Sequence, residues 1–246
     1  IGVPLSVWNL NNEHTVAIFE AGISLPKEMP KLEKIIKPNI GVFTNLGDAH
    51  AEGFSGTKQK IAEKFSLFDN CDVIVVNGLG SKQIPAKYKK KKLILIGKEK
   101  SSAIKIKQTS IKGTETKIEL THASKNYVLE IPFTDSASIS NAITCFGVLL
   151  ATGLEPEKYY SAFKELPSIA LRLEIKTGIN NCVLINDFYN SDLDSLQIAL
   201  NYLNQQTRNS SKTVILSDIE QSGRTKGLYK EIAKLLKQYK INSLIG

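Results

Sequence analysis

The sequence predicts an α/β fold: a parallel sheet with helices plus a small antiparallel sheet, followed by a second, smaller α/β unit. Three observations carry this. Short apolar runs without helical period end in polar residues, as Ile40-Gly41-Val42-Phe43 does before Thr44-Asn45, and such runs read as buried parallel strands. Between Ala103 and Phe133 the texture changes to strict apolar/polar alternation, the mark of an antiparallel sheet with one wet face. After Pro167, strand-like and helix-like segments alternate again, which predicts a second parallel sheet. A chain of 246 residues with 42% hydrophobic content suits one or two domains with a real core.

Taken in order, Ile1-Gly2-Val3-Pro4-Leu5 has neither a start methionine nor a cap and reads as the middle of a domain. Thr15-Val16-Ala17-Ile18-Phe19 is a predicted strand ending in Glu20-Ala21-Gly22. Pro26 to Lys37 is a predicted helix with Leu25, Met29, Leu32, Ile35 and Ile36 on its inner side, stopped by Pro38. A second helix is expected over 57–69, with Ile61, Phe65 and Phe68 on one face. Lys64 lies on the border of that face. A lysine so placed is usually a snorkelling surface residue; desolvated, its amine becomes neutral and able to react with carbon dioxide, giving an anionic carbamate. Strands are expected at 72–77 and 93–96, then the alternating segments around Ile104, Ile118 and Val128, with His122 in a surface turn. Ser138 to Thr152 is a strongly apolar helix stopped by Gly153. Asn141 stands near its start, as an N-terminal capping residue would. A short helix over 156–166 leads to Pro167-Ser168, the expected boundary between domains 1–167 and 168–246. Strands at 172–176 and 182–187, a helix over 192–204, a strand at 213–216, a helix over 228–239 and a strand from Ser243 complete the second unit.

Composition excludes several function classes. The formal net charge is +8, much of it lysine in runs such as Lys89-Lys90-Lys91-Lys92. That run lacks arginine or interleaved aromatics and leads straight into a strand, so a solvated loop is the expectation and nucleic acid is not an expected partner; a positive field would still draw anionic substrates. No apolar run approaches the ~20 residues of a membrane helix, and no basic, apolar leader opens the chain, so no membrane partner is expected. Cys71, Cys145 and Cys182 lie far apart with no metal spacing, which points to a reducing cytoplasm.

The chemistry gathers at strand ends. Two predicted strands would bring Glu20 and His50 to the C-terminal edge of the parallel sheet, where ligands bind in such folds. Glu20 and His50 are oxygen and nitrogen donors of the kind a divalent metal uses. Asn-Leu-Gly-Asp can equally be an ordinary turn, with His50 an exposed loop residue. Asp187 ends its strand as Asn45 does; it can bind a ribose diol or serve as the acid of the following helix start. Arg172 can be a surface ion pair, worth little. Asp218, Glu220, Ser222 and Gly223 form a polar loop after a strand, again at the ligand edge, and Tyr189 and Asn190 extend the Asp187 segment.

Several strings in this order resemble the Mur ligase family: IGVPLS from Ile1, FEAGIS around Glu20, TNLGDAHAEGF from Thr44 to Phe54, and IAEKFSLF around Lys64. SNAITCFGVLLATGL, LRLE, INDFYNSDLDSL and ILSDIEQSG follow. Each alone is weak, but together they span nearly the whole chain. The resemblance implies an ATP-dependent amide-forming ligase of peptidoglycan precursor synthesis, joining D-alanyl-D-alanine to UDP-N-acetylmuramoyl-tripeptide through an acyl phosphate. It implies ATP and Mg2+ as cofactors. Glu20 and His50 would hold magnesium with Lys64 as its carbamate, Lys64 and His50 would serve catalysis, and Asn45, Asn141, Arg172 and Asp187 would bind ATP, Asn141 at the adenine. It also implies that the second unit is a Rossmann-like C-terminal ligase domain and that both units are incomplete. The G-x-x-x-x-G-K-[ST] phosphate loop is absent from these residues; in the resembled family it precedes the position of Ile1, after a domain that grips the UDP sugar. The DFYNSD and ILSDIEQSG variants look most like the ligase half of a protein fused to an alanine racemase. One departure stands out: the Gly-x-His-Asn that commonly precedes the adenine-contacting asparagine is replaced by Asp135-Ser136-Ala137-Ser138. Two other readings share these motifs in part, a folylpolyglutamate synthase-like ligase and a non-catalytic α/β module that kept the fold.

Overall fold

The computed structural model describes residues 2–46, 53–167, 169, 172–188, 192–206, 210–219 and 225–246. His50, Tyr189, Asn190, Glu220, Ser222 and Gly223 lie outside them. Helix α1 (Gly2–Trp8) opens the chain and α2 (Met29–Ile36) follows. Strand β1 (Ile40–Phe43), helix α3 (Thr57–Phe65) with a 3-10 turn to Phe68, and strands β2 (Val73–Val76) and β3 (Lys92–Gly97) come next. Strands β4 (Ile104–Lys112), β5 (Glu115–His122) and β6 (Lys125–Ile131) precede α4 (Ser136–Ala151) and α5 (Tyr160–Lys164). Then come β7 (Glu174–Thr177), β8 (Val183–Asn186), α6 (Leu193–Gln206), β9 (Thr213–Ile215), α7 (Thr225–Gln238) and β10 (Ser243–Ile245).

The parallel and antiparallel strands form one sheet of six, in the order β1-β2-β3-β4-β5-β6. Strands β1 to β3 pair in parallel, and β4-β5-β6 pair antiparallel. The join is a two-residue parallel overlap, Ile96 opposite Ile104 and Gly97 opposite Lys105. A parallel connection normally needs a dozen or more residues to return to the strand start. Here β4 begins level with the end of β3 and runs onward, so the short link from Lys98 to Ala103 suffices.

Strand β2 shows why its sequence is continuously apolar. Successive side chains point to opposite faces, and helices cover both. Val73 and Val75 join the core under α4 with Ile96, Ile104, Leu129 and Phe146. Ile74 and Val76 join the other core with Ile61, Phe65, Phe68 and Tyr88. All four valines and isoleucines of β2 are buried. In β1, a Cβ on Gly41 would stand 2.4 Å from Cδ1 of Phe68, so glycine is what lets that ring seat against the strand. The cap of α4 is Asp135, whose carboxylate accepts from the Ser138 amide at 2.7 Å. Its end is a Schellman motif: Leu154 N–H donates to the Leu149 carbonyl and Gly153 N–H, at φ +75°, to that of Leu150.

Several expectations change. Residues 15–19 form no strand; Val16 and Ile18 are exposed, because among the described residues no neighbouring strand supplies their backbone with partners. Helix α2 starts at Met29 and buries Met29 against Ile23 and Phe54, while Leu25 and Ile35 face water. Asn141 is not the cap of α4, since Asp135 holds that place. The second unit is not uniformly parallel: β7 and β8 form an antiparallel pair, Glu174 opposite Asn186, because only a short turn joins them. Among the described residues of this unit, β9 and β10 alone run parallel, with α7 as their crossover. Among the described residues their core, with Leu196, Leu200, Leu228 and Ile232, contains no residue before Leu193. His122 is the last residue of β5, half-buried, with Nδ1 2.9 Å from the Ala103 carbonyl. The expected loop at Lys89–Lys92 is a 3-10 turn over 86–90 leading into β3.

Candidate active site at the strand ends

The C-terminal ends of β1 and β2 stand side by side. The Asn77 amide N–H donates to the Phe43 carbonyl at 2.8 Å, in register with the β1–β2 ladder. Gly78 follows at φ +73°, and a Cβ there would stand 3.3 Å from the Thr44 carbonyl oxygen and 3.4 Å from Cα of Asn45. Glycine is thus required twice over, for its backbone conformation and for the close approach. Asn45 itself is exposed at this edge.

Helix α3 brings Lys64 to the same neighbourhood. Its Nζ lies 5.8 Å from the centroid of the Phe43 ring, the last residue of β1. The side chain is half-buried, and burial pushes its pKa below the ordinary lysine value; the nearby charge of Lys60, one helical turn earlier, adds to this. A lysine on an apolar helix face is therefore a desolvated amine here rather than a freely snorkelling one. Lys60 is itself buried, and nothing in the one-dimensional pattern singled it out.

Glu20 is exposed and lines an open cleft of about 520 Å³ with Gly2, Ser6, His14, Val16 and Phe19. Among the described residues no group of three His, Cys, Asp or Glu converges as a metal site. The expected pairing of Glu20 with His50 rests on a residue outside the described ones. Glu20 is thus a single described carboxylate. That does not by itself fit a magnesium ion, which takes near-octahedral oxygen donors.

Asn141 lies on the exposed side of α4, next to Ser140. Ser140 and Thr144 are held by Asn77, a buried residue that the sequence pattern marked only as the polar end of a strand. On the other side, Asp187 follows β8 and its Oδ1 accepts from the Leu173 amide at 3.2 Å. Burial raises the Asp187 pKa above the ordinary carboxylate value, opposed by the Leu173 hydrogen bond and by the charge of Arg172; Asp135 and Asp192 add to the rise. The structure thus brings Asp187 and Arg172 into one electrostatic neighbourhood and places the α4 cap, Asp135, within its reach. The acid of the following helix start is Asp192 instead: its Oδ1 accepts from Ser195 N at 2.7 Å, and Ser195 Oγ accepts from Asp192 N at 2.9 Å.

The sequence model of the Mur ligase middle domain matches residues 1–149, more than half of the chain. The chain belongs to the Mur ligase family. Curated relatives within the family include the UDP-N-acetylmuramoyl-tripeptide–D-alanyl-D-alanine ligases of Buchnera aphidicola, 27% identical over 239 residues, and Borreliella burgdorferi, 26% identical over 227 residues. These alignments take in 94% and 91% of this chain but 51% and 48% of the relatives. The chain therefore spans about half the length of the curated relatives it matches. Among solved structures, MurF from Acinetobacter baumannii superposes with a TM-score of 0.83, over 99% of this chain and 54% of that one, at 20% identity. MurF from Thermotoga maritima in complex with ADP gives 0.73, over 90% and 56%, at 16% identity. These likenesses establish the shared fold. No helix among the described residues is long and apolar enough to cross a membrane.

Proposed function

We propose that this chain supplies the strand-edge part of the active site of a cytoplasmic, ATP-dependent ligase that joins D-alanyl-D-alanine to UDP-N-acetylmuramoyl-tripeptide in peptidoglycan synthesis. The observation that carries the reading is the desolvated Lys64 set beside Phe43, two residues before the exposed Asn45, within a fold shared with MurF. The curated relatives that share more than nine-tenths of this chain carry that activity in their names. The division into domains 1–167 and 168–246 belongs to the same reading. It is supported by hydrophobic cores that, among the described residues, share none across Pro167.

In the proposed reaction a carboxylate oxygen of the tripeptide attacks the γ-phosphorus of ATP. The bond from that phosphorus to the bridging oxygen breaks and ADP leaves. The amine nitrogen of D-alanyl-D-alanine then attacks the acyl carbon, the carbon–oxygen bond to phosphate breaks, and the amine gives up its proton as the amide forms. Asn141 would contact the adenine, Asp187 the ribose hydroxyls, and Arg172 the phosphates, while Asn45 at the β1 edge would orient the nucleotide. Lys64 as a carbamate would present an anion beside β1, and Glu20 and His50 would be its partners in holding magnesium. Magnesium would neutralise phosphate charge when bound. Of the residues expected to hold the ion, Glu20 is the one carboxylate among the described residues.

The test is ligation by the full-length protein that contains this chain. Lys64→Ala should abolish amide formation, and excess bicarbonate should not restore it, because no amine remains to carry the carbamate. Normal turnover in that variant would overturn the reading of Lys64.

A further inference from the structure

Asn77 has more polar work than a strand end requires. It is buried at the C-terminal end of β2. Its Nδ2 donates to Ser140 Oγ at 2.9 Å and Thr144 Oγ1 at 2.9 Å, with the Ser140 carbonyl at 3.2 Å. Its Oδ1 accepts from the Gly78 amide at 2.8 Å. Thr144 Oγ1 in turn donates to the Ser140 carbonyl at 2.9 Å, closing the network. Through its backbone N–H, the same residue holds the Phe43 carbonyl of β1.

One residue therefore joins three elements. Its backbone N–H fixes the ends of β1 and β2 side by side, and its side-chain amide pins one turn of α4 to the end of β2. The rest of the buried face of α4 is apolar: Ala142, Ile143, Phe146 and Gly147. Apolar packing alone tolerates small slides and rotations, whereas a satisfied buried hydrogen-bond network selects one register. The residue between the two pinned hydroxyls that faces water is Asn141.

We propose that Asn77 is a positioning residue for the nucleotide: by holding Ser140 and Thr144 it sets where Asn141 stands relative to Asn45 at the end of β1. The inference rests on the reading of Asn141 as the adenine contact. It adds that the contact depends on a residue that never touches the nucleotide. Asn77→Asp keeps the shape and the acceptor for Gly78 but removes both donors to α4. Ser140→Ala removes one acceptor at a half-buried position and serves as a milder second variant.

Both variants are compared with the parent in the full-length protein, alone and combined with Asn141→Ala, measuring thermal midpoint and KM for ATP and for D-alanyl-D-alanine. Asn77→Asp should raise the ATP KM about tenfold, the size of one net hydrogen bond. Ser140→Ala should raise it less, and the KM for the dipeptide should stay unchanged. In the Asn141→Ala background, neither change should raise the ATP KM further. An additive effect in that background would overturn the positioning role. So would equal rises in both KM values, or an ATP KM in both variants equal to the parent's. Should Asn141→Ala alone leave the ATP KM unchanged, the adenine contact itself is refuted, and the role of Asn77 falls with it for that separate reason.

Discussion

Lys64 and Asp187 are two residues whose surroundings work against their charge. Burial holds the Lys64 pKa below the usual 10.5, with Lys60 as the second cause. Between that lowered value and 10.5 the unfolded chain binds this proton more tightly than the folded one. The folded state therefore bears the full cost below the window and recovers it as pH rises through it. Lys64→Met should raise the thermal midpoint of the chain at pH 7, and the gain should shrink in melts run near pH 10. A lower midpoint at pH 7 would mean that the ammonium is stabilised rather than desolvated. Asp187 is the mirror case. Its pKa is raised, first by burial, so the ionised carboxylate costs stability at neutral pH, and that cost is lost as pH falls through the raised value and is gone below the ordinary 3.8. Asp187→Asn keeps the acceptor for Leu173. It should leave the midpoint at pH 7 equal or higher while raising the KM for ATP in the full-length protein. A clear drop in midpoint with unchanged ATP kinetics would make Asp187 a structural residue. Retaining two such groups against their stability cost is what binding sites do.

At the scale of elements, the close seating of β1 on the turn after α3 is what puts Lys64 beside Phe43. Phe65 stacks on Phe43 with centroids 5.3 Å apart and meets Phe68 edge-on at 5.5 Å. Gly41 leaves room for Phe68 on the strand. Gly41→Ala places a methyl group 2.4 Å from the ring, so either the ring or the strand must move. Overpacking of this kind costs about 1–3 kcal/mol. Chemical denaturation should show a lower midpoint with an unchanged slope. A stability equal to the parent would show that the turn at Phe68 yields freely, and that it does not hold Lys64 in place.

For the whole molecule, nothing in these 246 residues encodes the G-x-x-x-x-G-K-[ST] cradle for phosphates, whatever the proposed base, ribose and anion contacts contribute. Phosphate binding depends on a nest of backbone N–H groups at a helix start. Loss of even one charge-stabilising group costs ~10²–10³ in kcat. The 246-residue chain on its own should therefore release no phosphate from ATP and magnesium above background, with the tripeptide and dipeptide substrates present. Steady release that vanishes in a His50→Ala variant would reveal a phosphate site within the chain that its motifs do not announce.

Much of this was legible in one dimension. The apolar runs of β1, β2 and β3 and the alternation of β4, β5 and β6 are local patterns, and local patterns survive into the fold because each strand's burial is set by its own residues. The Ile61, Phe65, Phe68 stripe was legible for the same reason, as was the stop of α4 at Gly153. What the sequence could not determine depends on partners far away in the chain. Residues 15–19 have strand-like side chains, but a strand exists only where a neighbour takes its hydrogen bonds. The β7–β8 pair is antiparallel because of the turn between them, which apolar content does not report. The cap of α4 fell to Asp135 rather than Asn141 because capping depends on where the first turn begins. Asn77 became visible only when β2 and α4 were packed together. Its importance lies in hydrogen bonds spanning 63 and 67 residues, and no periodicity in the sequence encodes a contact at that separation.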